Sequence, residues 1–139
     1  MLYLLDTNAC VAYLRRVDSP VRQRLAQHAA ADIVVCSVVY AELRYGALRN
    51  ANPARAQAQL ASFLANFVSL PLDDPAAEIA AAVRADLATK GTPISPHNLL
   101  IAAIALASDL TLVTHNTREF GRVNGLRIED WETETGPGL

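Results

Sequence analysis

Short apolar runs of β-type composition alternate along this chain with longer segments of helical periodicity. Residues 1–5 predict a buried strand, and residues 32–36, rich in β-branched side chains, a second. Residues 67–70 give a third strand, 111–114 a fourth, and 126–128 a short edge strand. Helices are predicted over 7–15, 20–30, 53–66, 75–89 and 96–108, with another capped by Ser37 and running to Arg49. Ser95 is a cap candidate for the helix that starts at Pro96. Val21, Leu25 and Ala29 recur every four residues in one helix, and Leu60, Phe63, Leu64 and Phe67 form a stripe that reads as core. Strands followed by helices, with few hairpin signals, imply βαβ units and right-handed crossovers. The expected fold class is α/β: one domain over residues 1–131, a short, mainly parallel sheet flanked by helices. A loose tail is expected over residues 132–139, where Gly136 and Gly138 fall.

Composition narrows the choice of function. The 139 residues are 52% hydrophobic and 19% charged, which excludes a disordered chain. Cys10 and Cys36 are too few for a disulfide scaffold and form no zinc-knuckle spacing. Twelve basic residues against 14 acidic give a net charge of −2, which excludes a generally basic nucleic-acid coat but not a local basic patch. The apolar run from Leu99 to Ala107 is about half the length a membrane span needs. With no targeting pattern at the start, a cytoplasmic protein away from membranes is expected.

In parallel sheets, ligands bind beyond the carboxyl ends of the strands. Asp6 follows the first strand directly, and a carboxylate there must cap a helix, pair, or bind a cation, because burying it alone is costly. Glu42 sits one turn into a helix among apolar residues, and Val38 and Gly46 offer it no local cation. Glu119 follows the fourth strand, with Arg118 and Arg122 as ordinary ion-pair partners. Asn98 opens the apolar helix at 96–108, a commonplace position for an uncharged polar residue. His28, His97 and His115 have no partner at metal-binding spacing, which argues against a zinc site. Should Asp6, Glu42 and Glu119 converge, their mutual repulsion would call for a hard cation, Mg²⁺ or Mn²⁺ rather than zinc. Such centres hydrolyse phosphodiesters.

The chain resembles the PIN-domain ribonucleases, and within them the VapC toxins of bacterial toxin–antitoxin pairs. The resemblance rests on residues 4–8 (LLDTN), 37–46 (SVVYAELRYG), 91–103 (GTPISPHNLLIAA) and 112–120 (LVTHNTREF), followed by 123–126 and Asp130-Trp131. The pieces run in family order over nearly the whole chain. The resemblance implies an acidic centre holding Mg²⁺ or Mn²⁺, with Asp6 and Glu42 as the first two acids and Thr7 and Asn8 supporting them. Position 98 carries Asn where VapC-like chains place a third acid and metal ligand; Asn116 takes the place of a further Asp, and Glu119 matches an acid three residues on. Arg15, Arg44, Arg49, Arg118 and Arg122 are candidates to hold the RNA backbone.

The family further implies a homodimer, a VapB-type antitoxin over the acidic cleft, and a structured RNA substrate, with tRNA favoured. Asn keeps the shape of Asp but exchanges an anionic oxygen for a donor amide, so this form is expected to be weakened or inactive. A catalytically silent PIN domain that binds RNA or antitoxin is the alternative. A phosphatase using Asp6 as nucleophile lacks the Gly-rich phosphate cradle it would need.

Overall fold

The computed structural model describes residues 1–133; positions 134–139 of the expected tail, with Gly136 and Gly138, lie outside the described residues. Five strands, β1 (Tyr3–Leu5), β2 (Ile33–Cys36), β3 (Val68–Leu70), β4 (Thr111–Val113) and β5 (Ile128–Glu129), form one sheet in the order β3-β2-β1-β4-β5. Every pairing is parallel. The central strands are continuous apolar runs because the helices cover both faces, and Leu4, Leu5, Ile33, Val34, Val35 and Leu112 are buried.

Among the described residues, seven α-helices flank the sheet: α1 (Thr7–Arg15), α2 (Pro20–Leu25), α3 (Ser37–Leu48), α4 (Pro53–Leu64), α5 (Asp74–Thr89), α6 (Pro96–Ala107) and α7 (Thr117–Phe120). Pro20, Pro53 and Pro96 each open a helix, where the missing N–H is not needed and φ is already helical. Leu60, Phe63 and Leu64 are buried as their spacing predicts, and Phe67 packs against the core. Helix α6 is buried almost all round, with Ile101 to Ala105 inaccessible, and this fixes its polar first turn at the sheet edge.

Local readings change in several places. Cys36, not Ser37, is the N-cap residue of α3, and it contributes no side-chain cap bond; Ser37 is already helical. Ser95 occupies the cap position of α6 without a side-chain bond of that kind. The second helix stops at Leu25, and a 3₁₀ turn over Ala30–Asp32 leads into β2. Helix α5 starts one residue early because the Asp73 carboxylate accepts from the Ala76 N–H at 3.0 Å. Helix α7 was not expected, and the edge strand falls at Ile128–Glu129 rather than 126–128.

Candidate active site

Parallel pairing brings the carboxyl ends of the strands to one edge. Leu5 is in register with Val113, and Val113 with Glu129, so Asp6, Thr114 and Asp130 leave the sheet side by side. The ladder continues one step into them: the Asp6 N–H donates to Val113 O at 3.0 Å, and the Thr114 N–H to Glu129 O at 2.9 Å.

Asp6 lies at the centre of the edge and is 3% exposed. It is the N-cap of α1, its Oδ1 accepting from the Ala9 N–H at 2.8 Å. Burial raises its pKa to about 6, against the lowering effect of hydrogen bonds from Thr114 and Ala9; the charges of Glu132 and Glu42 push it further up. Asp6 is therefore both a helix cap and a desolvated carboxylate among other acids.

Thr7, the first residue of α1, donates its hydroxyl to Glu42 Oε1 at 2.8 Å, tying α1 to α3. His97 Nδ1 faces the other Glu42 oxygen at 3.4 Å. The next residue, Asn98, donates its Nδ2 to Glu119 Oε1 at 3.3 Å, and the Ser95 N–H donates to the same oxygen at 2.8 Å. The first turn of α6 thus bridges Glu42 and Glu119. The Ser95 bond foremost, then Asn98 and the charges of Arg122 and Arg118, hold the Glu119 pKa below the usual carboxylate range. Asn116 caps α7 by accepting the Glu119 N–H at 3.3 Å, while its own N–H donates to Thr114 Oγ1 at 3.0 Å.

The five arginines separate in role. Arg15 borders two clefts, one of about 250 Å³ with Thr7 and Glu42 and one of about 380 Å³ with Asn8, His115 and Glu132. Arg49 is the C-cap residue of α3, its guanidinium bonded to the Tyr45 hydroxyl at 3.0 Å. Arg44 is engaged with Tyr40 Oη at 3.0 Å and Gln57 Oε1 at 3.3 Å, bracing α3 against α4. Arg122 donates to Pro93 O at 2.9 Å and steadies the loop before α6. Arg118 is exposed.

Two acids at this edge escaped the sequence reading. Asp130 and Glu132 follow β5, and Asp130 Oδ2 lies 2.9 Å from His115 Nδ1. One ligand atom each from His115, Asp130 and Glu132 lie within 4.8 Å of one another. His115, isolated in sequence, is therefore not isolated in space, and Glu132, expected in the tail, stands beside the centre. The rule that singled out Asp6 and Glu119 applies equally after β5; only the brevity of that strand hid it.

The PIN domain family matches residues 3–126 of the chain. The tRNA(fMet)-specific endonuclease VapC of Salmonella typhimurium is 36% identical over 129 residues, covering 93% of this chain and 97% of the relative. Ribonuclease VapC2 of Rickettsia felis is 33% identical, covering 95% and 99%. Among solved structures, DNA-bound VapBC from Salmonella typhimurium superposes with a TM-score of 0.89 at 37% identity, covering 94% of this chain and 99% of that one. VapBC2 from Rickettsia felis bound to a promoter DNA fragment gives 0.88 at 32% identity, with the same coverage. The chain belongs to the PIN-domain family, and within it to the VapC group. Divalent-metal dependence is general among PIN-domain nucleases.

Proposed function

We propose that this chain is a VapC-type toxin, an endoribonuclease that hydrolyses phosphodiester bonds of structured RNA with a divalent ion. The observation that supports the reading is the charge of Glu42 acting on the buried Asp6, together with the first turn of α6, where His97 faces Glu42 and Asn98 bonds Glu119. The relatives named as RNA endonucleases match over nearly their whole length, and the name of the Salmonella typhimurium protein makes tRNA the leading substrate. Structural neighbours that are VapBC complexes support a VapB-type antitoxin as partner, and the family resemblance a homodimer. Among the described residues no helix is long and apolar enough to cross a membrane, and a cytoplasmic location accords with an RNA target.

The donor set fits a hard cation. Asp6 is desolvated and its pKa raised, and Glu42 and Glu132 add negative charge around it, so a divalent ion would relieve the strain of ionising all three. Asp6, Glu42, Glu119 and the Asn98 carbonyl oxygen would hold Mg²⁺ or Mn²⁺. When bound, the ion makes water a nucleophile near neutral pH and offsets charge on the phosphate. The chain supplies the positioning. Asp6 is fixed by the α1 cap, Glu42 by Thr7, and Glu119 by Ser95, Asn98 and the Asn116 cap, while Arg15, in the cleft of Glu42, and Arg49, at the end of α3, would grip the RNA backbone. Asn8, exposed beside Arg15, supports the same rim.

Asn98 weakens this centre. Its amide satisfies Glu119 without an ion, where an Asp would repel Glu119 and demand one. That bond also favours a second reading, a silent domain that binds RNA or antitoxin. Asn98→Asp takes the net charge from −2 to −3. Cleavage of tRNA with Mg²⁺ or Mn²⁺ is expected to rise on the order of a hundredfold, the upper range for repairing a metal's surroundings, and to vanish with EDTA. An inactive Asn98→Asp protein that still binds tRNA would establish the silent module instead.

A further inference from the structure

We infer that the cavity between α3 and the first turn of α6 is a nucleobase subsite, in which Tyr45 stacks an unpaired base of the RNA beside the bond to be cut. The inference rests on the ribonuclease reading above and names how that substrate is seated. The cavity holds about 640 Å³, within the range of sites that take a small molecule. Val38 and Ala41 of α3, Leu100 of α6, and Leu72 in the loop before α5 give it apolar walls. Thr7, Glu42 and His97 border it too, so one wall of the cavity belongs to the acidic centre.

Tyr45 is 60% exposed although its ring is large and mostly apolar. A single exposed aromatic is ordinary, but Tyr45 differs in where it stands and in what it carries. With Leu72, also exposed, it borders the cavity. The Arg49 guanidinium lies 5.6 Å from the centre of its ring and donates to its hydroxyl at 3.0 Å. A ring with a cation fixed to it matches a nucleotide: the ring takes the base by stacking, and the guanidinium takes a phosphate. The contact with Arg49 also orders the ring in advance, so less side-chain freedom is lost on binding. The same helix carries a matched pair without the cavity. Arg44 bonds the Tyr40 hydroxyl at 3.0 Å and lies 5.5 Å from its ring, but Tyr40 does not border the cavity and Arg44 is also held by Gln57.

The walls decide between occupants. An apolar protein face laid over the cavity would bury the Glu42 carboxylate, whose oxygens have the Thr7 hydroxyl and the His97 imidazole beside them but no paired lysine or arginine among the described residues. A nucleotide of the substrate meets no such conflict: its base lies against the apolar walls and its phosphate toward the centre that acts on it. His97, exposed on the same wall, offers a second flat ring for the base. Ser37, at the start of α3, adds a hydroxyl for the base edge.

The test is binding of an RNA stem-loop to the full chain by fluorescence anisotropy, against the same stem-loop with abasic loop nucleotides. Tyr45→Ala is expected to weaken binding of the intact loop at least about fivefold, the low end for losing one stacked base, and to leave binding of the abasic loop unchanged. Tyr45→Phe, which keeps the ring, and Tyr40→Ala, outside the cavity, should both bind the intact loop as the parent does. Thermal melts check that each variant folds, and Tyr45 is exposed enough to be truncated without opening the core. Unchanged binding in Tyr45→Ala would overturn the inference. So would an equal loss on both stem-loops, which would make Tyr45 a holder of Arg49 and nothing more. A Tyr45→Ala protein that loses a dimer in sedimentation while binding the intact loop normally would give the face to a second copy of the chain instead. The Asn98→Asp cleavage assay tests the ribonuclease reading separately, so a protein that cuts tRNA yet is indifferent to Tyr45→Ala loses this subsite alone.

Discussion

The Asp6 carboxylate is 3% exposed, and burial lifts its pKa from 3.8 to about 6. A carboxyl group with a raised folded-state pKa supports the fold fully below its unfolded value near 3.8. That support is lost as pH rises through about 6. The gap corresponds to about 3 kcal/mol at neutral pH. Asp6→Asn keeps the cap acceptor for Ala9 and removes the ionisation. In EDTA at pH 7.5 the variant is expected to melt at least about 5 °C above the parent, and the two should converge near pH 4. Mg²⁺ should narrow the difference by stabilising the parent alone. A variant that melts lower at pH 7.5 would show that the charge is already compensated within the chain. Asp6 and Glu42 stand out in the sequence because each follows or neighbours a clear strand end and lacks a local cation, whereas Glu119, with Arg118 and Arg122 close by, stands out only by its place after the fourth strand. His97 was not, since its approach to Glu42 depends on how α6 meets α3, which no local pattern encodes.

At the scale of elements, the long segments were readable and the short ones were not. Helices α1, α4 and α6 start where the sequence places them, because a cap or an opening proline marks each one. Helix α7 has four residues, too few to be stable alone, and exists because Asn116 caps it and Phe120 is buried beneath it. Its end is tightly packed: a Cβ at Gly121 would sit 2.4 Å from Thr117 O. Gly121→Ala is expected to destabilise the chain by about 1–3 kcal/mol and to shift the Glu119 resonances, read by urea melts and NMR. Unchanged stability would mean that α7 yields without disturbing the site. Strand β5 is two residues long and was placed two residues early; its position depends on Trp131, whose burial against Tyr3 and His28 is a tertiary event. Trp131→Ala is expected to cost about 3–5 kcal/mol by opening a cavity, read by urea melts. A loss under about 1 kcal/mol would mean that β5 keeps its place without this anchor.

Over the whole molecule the net charge of −2 gives no general attraction to RNA, so any affinity must come from a few well-placed cations working beside a metal-neutralised edge. The structure sorts the candidates in a way the sequence could not, because spacing says nothing about what each guanidinium already holds. Arg15 lines the cleft of Glu42, and Arg49 ends α3 with its guanidinium on the exposed Tyr45 hydroxyl, whereas Arg44 is held between α3 and α4 by Tyr40 and Gln57, and Arg122 by Pro93. Each phosphate contact contributes about 0.7–0.9 to the slope of log K against log salt. The Arg15→Ala/Arg49→Ala double variant is therefore expected to bind tRNA more weakly and to flatten that slope by about 1.4–1.8, measured by fluorescence anisotropy from low to physiological salt. Arg44→Ala should leave the slope unchanged and lower thermal stability instead, since its guanidinium joins α3 to α4. A slope that falls as much in Arg44→Ala as in the double variant would place the RNA across α3 and α4, away from the acids. That outcome would separate RNA binding from the centre at the sheet edge, which a nuclease cannot allow.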